Sequence, residues 1–190
     1  MNAINQMKTR TMIFAAAVAT GLAMNTHADE LEPTYYMNAV SDRAYGHFVS
    51  AGHYRKAIRS NHRHARRLLR SGQQTRTLPF DAATNLCVAY TMTEQLDIAA
   101  LACDAAVKAA EKTADVPSPV LAKAVSDQAI AYSNRGVLRA VSGDLEGAQA
   151  DFEMAINAGS GPESSHATVN LAKLQQQSND TLAYRTSSPQ

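Results

Sequence analysis

Two stretches of this chain carry the same spaced set of small and bulky residues, and this repeat constrains the fold more than any other feature. The clearer copy comprises Gly136, Gly143, Ala148, Phe152, Ala155 and Ile156. The second copy comprises Cys87, Glu94, Ala99, Cys103, Ala106 and Val107. A weaker third copy comprises Tyr45, Gly52, Ala57, Asn61, His64 and Ala65. A period of this kind is typical of one helix-turn-helix unit copied along a chain, so it predicts an all-α protein of stacked helical hairpins.

Helix-start and helix-stop residues predict where these hairpins lie. Prolines fall between the helical patterns, glycines follow several of them, and Asp81 and Asp144 stand where N-caps are expected. The expected helices cover residues 36–50, 54–70, 81–92, 94–112, 118–141, 144–159 and 162–177. We therefore expect one repeat domain over residues 29–178 and a flexible polar tail over residues 179–190.

The third hairpin resembles one unit of the tetratricopeptide repeat family. The matching residues are Tyr132, Asn134-Arg135-Gly136, Gly143-Asp144-Leu145, Ala148, Phe152, Ala155-Ile156 and Pro162. The resemblance implies a stack of about three hairpins with a C-terminal capping helix, and a protein or peptide partner held in a concave groove. The copies start 42 and 49 residues apart, against a usual period of about 34. The extra length is expected in the connections, where it would make the stack irregular.

The same resemblance predicts which residues face the groove, because the first helix of each hairpin lines it. The candidate groove residues are Asp42, Arg43, Thr84, Asn85, Val88, Ser133, Asn134 and Val137. Asn85 and Asn134 occupy equivalent places in their repeats. A side-chain amide can donate to and accept from an extended peptide backbone, which offers one donor and one acceptor per residue.

The first 28 residues are predicted to be a secretory signal peptide. Lys8 and Arg10 precede an apolar run that ends in Thr26-His27-Ala28, and cleavage is expected after Ala28. We expect a periplasmic protein, with secretion as the alternative. The full chain has a formal net charge of +1, and removal of the leader would leave about one net negative charge, so global charge selects no class of partner.

The helix expected over residues 54–70 carries one uninterrupted basic stripe. Its members are Arg55, Lys56, Arg59, Arg63, Arg66, Arg67 and Arg70. They fall within about a third of the helix circumference at roughly 100° per residue. Two interpretations remain open: a patch for anionic lipid or an acidic partner, and a solvated outer face of a hairpin. Nucleic acid is not expected, because no aromatic residues interleave with the arginines.

The remaining residues that could carry chemistry give few signals. Cys87 and Cys103 lie one on each helix of the second hairpin, where they could form a disulfide or remain two buried thiols. The histidines lack the spacing of a metal site, so no metal and no cofactor is expected. No nucleophile-elbow, phosphate-loop or zinc motif is found in the sequence, and we expect no enzymatic activity.

Overall fold

Helices make up most of this protein, as its repeat predicts. The structure is a computed structural model that describes residues 5–6, 35–41, 43–70, 78–114, 121–159 and 161–187. Its helices are α1 Gly46–Ser50, α2 Tyr54–Arg70, α3 Phe80–Met92, α4 Leu96–Ala114, α5 Leu121–Val141, α6 Leu145–Ala158 and α7 Pro162–Ser187. Two short strands, β1 (Asn5–Gln6) and β2 (Tyr36–Met37), pair antiparallel. The all-α fold class is therefore confirmed.

Helices that follow one another in the chain also pack against one another. Contacts run from α1 to α2 and onward to α7, with α3 also touching α5, and α5 touching α7. The odd-numbered helices α3, α5 and α7 consequently lie side by side. This arrangement places the first helix of each later hairpin on one common face, where the sequence predicts a binding surface.

The three helix-helix turns share an unusual backbone conformation at equivalent repeat positions. Gly52, Glu94 and Gly143 have φ values of 75°, 58° and 87°. Each stands seven residues after the first position of its repeat, so the turn geometry agrees with the sequence register. Glycine adopts this left-handed region without steric cost, whereas glutamate does not. Glu94 is therefore the strained member of the three turns.

Close approach within the third hairpin explains Gly136. A Cβ atom at this position would lie 2.6 Å from Phe152 Cε1 and 3.2 Å from the carbonyl oxygen of Ala148. The second hairpin is held differently, because the sulfurs of Cys87 and Cys103 are 2.07 Å apart and join α3 to α4 as a disulfide. The structure thus favours the disulfide interpretation over two free thiols.

Several predicted boundaries are wrong. The helix expected over residues 36–50 starts only at Gly46, because residues 35–40 are extended. Asp81 is not an N-cap: α3 begins at Phe80 with Pro79 before it. The last helix continues past Gln177 to Ser187, so the segment expected to be a polar tail is helical up to that residue. The predicted signal peptide lies outside the described residues, apart from Asn5 and Gln6.

Candidate functional site: an asparagine ladder

Residues 35–40 form an extended segment that lies against α3, α5 and α7; we call it the bound segment. Its burial alternates with a period of two, as expected for a strand lying on a surface. Tyr35, Met37 and Ala39 are 3%, 2% and 9% exposed. They belong to the same hydrophobic cluster as Val88 and Val137. The intervening residues of the segment are half-buried.

Three asparagines bind the backbone of this segment, one each from α3, α5 and α7. Asn85 lies on α3, Asn134 on α5 and Asn170 on α7; we call them the asparagine ladder, and the surface that carries them the asparagine face. All three are 0 to 1% exposed. Each contacts both backbone polar groups of one residue in the bound segment, which is the geometry of a backbone-reading site.

The hydrogen bonds repeat along the ladder at every second residue of the segment. At Tyr36 the N–H donates to Asn170 Oδ1 at 2.8 Å, and Asn170 Nδ2 donates to the carbonyl oxygen at 2.8 Å. At Asn38 the matching distances to Asn134 are 2.7 and 2.8 Å. At Val40 the distances to Asn85 are 3.0 and 3.1 Å. In an extended chain the N–H and C=O of one residue point to the same edge, so a single amide can satisfy both.

Side chains of α6 and α7 contact the start of the bound segment. The Tyr35 ring stacks near Phe152 at a centroid distance of 6.4 Å, and its hydroxyl donates to Gln177 Oε1 at 2.9 Å. Tyr36 stacks on His166 at 5.4 Å. The Nδ1 atom of His166 lies 2.8 Å from Asn38 Oδ1. The aromatic end of the segment is therefore fixed by both stacking and hydrogen bonds.

A buried ion cluster fixes the orientation of α5 and with it the central asparagine. Arg135 donates to both carboxylate oxygens of Asp151, at 2.9 and 2.8 Å, and Asp151 is 1% exposed. Arg139 binds the same carboxylate at 2.9 Å. The hydrogen bonds to Asp151 raise the pKa of Arg135 above its usual range. Because Arg135 follows Asn134 directly, this bidentate pair helps hold the neighbouring side chain towards the segment.

Six of the eight predicted groove residues lie on α3 or α5 and are fully buried, because the asparagine face is covered: Thr84, Asn85, Val88, Ser133, Asn134 and Val137. The hydroxyls of Thr84 and Ser133 have no hydrogen-bond partner among the described residues. Arg43 is exposed and lies 3.8 Å from Asp81. Asp42 lies outside the described residues. Sequence reasoning predicted an open surface, whereas the chain's own bound segment occupies it.

Asn170 and the bound segment itself were missed. Asn170-Leu171-Ala172 matches the spacing of Asn134-Arg135-Gly136, so the repeat register contained the signal for the third ladder residue. The bound segment left no comparable signal, because the intervening Tyr36 and Val40 are as apolar as the buried Tyr35 and Ala39.

Gly46 makes room for the end of the segment. A Cβ atom on Gly46 would lie 2.9 Å from Asn85 Nδ2 and would overlap the carbonyl oxygen of Val40. Only a residue without a side chain therefore lets the segment approach α1 this closely.

The basic stripe on α2 is exposed along its whole length, as predicted. All seven of its members are exposed, and none forms an ion pair with another described residue: Arg55, Lys56, Arg59, Arg63, Arg66, Arg67 and Arg70. A cleft of about 720 Å³ opens beside Arg55, Lys56 and Arg59, with Glu94 on its other side. Lys56 Nζ lies 4.3 Å from the centre of the Phe48 ring.

Two other kinds of site, metal clusters and membrane-spanning helices, are absent from the described part of the chain. No three His, Cys, Asp or Glu side chains there converge in the way that a metal ion requires. No helix in these ranges is long and apolar enough to cross a bilayer. No family model, curated protein or solved structure matches this chain. The tetratricopeptide resemblance consequently stays a prediction that rests on the repeat residues.

Proposed function

We propose that this protein is a non-enzymatic scaffold of the cell envelope that binds an extended polypeptide segment on its asparagine face. The observation that carries this proposal is the ladder of Asn85, Asn134 and Asn170, each joined to both backbone polar groups of one residue. The backbone of the bound segment stands in for that of a peptide ligand. Export to the envelope is supported by the basic and apolar leader pattern over residues 1–28.

Backbone recognition suits a binding protein better than a structural contact alone. Hydrogen bonds to the backbone do not depend on side-chain identity, so any extended chain can use them. The ladder residues are spaced two peptide residues apart, about 6.6 to 7 Å along a strand. The axes of side-by-side helices are about 8 to 10 Å apart, which exceeds this spacing, so the three asparagine side chains must converge on the segment to meet every second residue.

The tethered segment must compete with any ligand that arrives in trans. A short tether gives the bound segment an effective concentration in the millimolar range. A free peptide therefore gains access only when the segment is weakened or when the peptide binds more tightly. This competition makes the proposal testable. A change that weakens the contact of the bound segment with the asparagine face should strengthen the binding of a free peptide to that face.

The test uses full-length protein and a fluorescent peptide with the sequence of residues 33–41. Asn38→Pro removes the N–H that donates to Asn134, whereas Asn38→Ala removes the same side chain and keeps the N–H. We expect the Asn38→Pro protein to bind the peptide about tenfold more tightly than the Asn38→Ala protein by fluorescence anisotropy. Adding Asn134→Ala should abolish the gain. A folded Asn38→Pro protein that binds no peptide would refute the proposal.

The exposed basic stripe supports a second candidate function, contact with anionic lipid or an acidic partner. Seven basic side chains lie on one side of α2 and have no ionic partner among the described residues. They therefore leave a positive field on that side of the helix. The triple change Arg59→Glu, Arg63→Glu and Arg66→Glu should abolish salt-sensitive binding to anionic vesicles and leave peptide binding intact. Equal vesicle binding by the unchanged protein and the triple variant would exclude anionic lipid as the ligand of the stripe. Equal retention of these two proteins on a polyglutamate resin would exclude an acidic partner.

A further inference from the structure

We propose that the asparagine face selects peptide segments by the side chains at three alternate positions, which must be aromatic, long apolar and small in that order. This inference rests on the proposed function and adds a ligand class to it. The ladder alone binds backbone N–H and C=O groups, so it cannot distinguish one peptide sequence from another. Selectivity must therefore come from the side chains that the segment buries.

The buried positions of the bound segment show what each part of the face accepts. Tyr35, Met37 and Ala39 are almost fully buried, whereas their neighbours Tyr36 and Asn38 are half-buried. Successive side chains of an extended chain point to opposite faces, so every second side chain is buried in the protein. Tyr36 and Asn38 also contact His166 but are less buried. A partner segment on this face would bury its side chains at the same three positions.

The aromatic position lies between α6 and α7 and has a polar end. Phe152 is fully buried and provides the ring against which Tyr35 stacks. Gln177 Oε1 accepts the hydrogen bond of the Tyr35 hydroxyl. An aromatic ring buries a large apolar area here, and the phenol gains a partner, so tyrosine fits better than a charged or small residue. The central position requires a long apolar side chain, because Met37 is 2% exposed within the hydrophobic cluster.

The last position requires a small side chain because the backbone approaches α1 closely. The Val40 carbonyl oxygen occupies the space that a Cβ atom on Gly46 would take. Ala39 immediately precedes this contact and is 9% exposed. A bulkier side chain at the Ala39 position would overpack the cluster or lift the chain from Asn85.

The order of these positions also gives the peptide a direction. Tyr36 pairs with Asn170, Asn38 with Asn134 and Val40 with Asn85, so the segment runs from α7 towards α3. An amide could bond a chain of either direction, since N–H and C=O of one residue share an edge. The aromatic site at α7 and the narrow site beside α1 therefore determine the direction.

The occupant we propose is a segment of another polypeptide rather than a second copy of this chain. Each copy holds its own bound segment through six ladder hydrogen bonds. A second copy could offer its segment only after it breaks these hydrogen bonds, whereas a segment of another polypeptide has no such contact to break. The mature protein is accordingly expected to be monomeric by light scattering. A dimer that dissociates when the peptide is added would overturn this choice of occupant.

A peptide panel tests the pattern on the full-length Asn38→Pro protein. The parent peptide has the sequence of residues 33–41, and buried-position changes are Tyr35→Ala, Met37→Asn and Ala39→Leu. The matched half-buried change is Val40→Thr. We expect each buried-position change to weaken binding about tenfold or more, and the matched change to weaken it about threefold or less. A peptide of reversed sequence should bind as weakly as the buried-position variants.

The outcomes separate this inference from the function on which it rests. Failure of the parent peptide to bind would refute both the proposed function and the pattern. Equal binding by every peptide would leave backbone recognition in place and overturn the selectivity. Gln177→Leu in the protein supplies an independent check, because it should reduce the preference for tyrosine over phenylalanine at the first buried position. An unchanged preference would overturn the role assigned to the phenol.

Discussion

Replacing Asn134 with alanine should release the centre of the bound segment. The change removes two hydrogen bonds, of 2.7 and 2.8 Å, to the N–H and C=O of Asn38. A typical intramolecular hydrogen bond contributes about 0.5 to 1.5 kcal/mol net, and a buried group left without a partner costs about 1 to 3 kcal/mol. Two backbone groups lose their partner, so the expected loss is about 2 to 6 kcal/mol. For a protein of this size it corresponds to a fall in Tm of roughly 4 to 24 °C.

Ser133→Ala is the matched control for this change. Ser133 is the preceding residue on the same helix, is fully buried, and its hydroxyl has no partner among the described residues. Removing a hydroxyl that bonds nothing should leave stability unchanged or raise it slightly. Differential scanning calorimetry gives the Tm, and amide exchange at Asn38 shows whether the loss is local. The same Tm and the same Asn38 exchange rate for both variants would refute the ladder account.

Three further predictions concern the repeat framework. Glu94→Gly should raise the free energy of unfolding in urea by about 0.5 to 1 kcal/mol, because Glu94 has a φ of 58°. Thr93→Gly should lower it instead, because Thr93 already has a negative φ, of −104°. Reduction of the Cys87–Cys103 bond, which spans 16 residues, should cost about 3 kcal/mol, and a Cys87→Ala protein that still responds to reductant would contradict this. Gly136→Ala should lower Tm because its Cβ would lie 2.6 Å from an aromatic ring; an unchanged Tm would show that the ring moves freely.

Local signals made much of the helical framework predictable. The bounds of α2 were predicted in full, and Asp144 caps α6 by accepting a hydrogen bond from the Gly147 N–H, as expected. Both depend on residues close in sequence, such as a glycine turn followed by an aspartate. Asn85 and Asn134 were also identified, because the repeat register places them at equivalent positions.

The bound segment could not be predicted in the same way. Residues 36–45 were expected to be helical, but their backbone partners lie far away in sequence: Asn134 is 96 residues from Asn38, and Asn170 is 134 residues from Tyr36. Such contacts override local propensity, and residues 35–40 show no alternation of polar and apolar residues that would indicate a strand. The self-occupied face was missed for this reason.

The most direct test of the central claim is residue-resolved amide exchange of the protein during a titration with the peptide of residues 33–41. The account predicts slow exchange at Tyr36, Asn38 and Val40 without peptide, because their N–H groups donate to the buried ladder. It predicts faster exchange at these three amides of the protein once the free peptide reaches millimolar concentration, where it matches the effective concentration of the tethered segment and displaces it. Unprotected amides without peptide would contradict self-occupancy, and protection that persists while the peptide is bound would contradict recognition on the asparagine face.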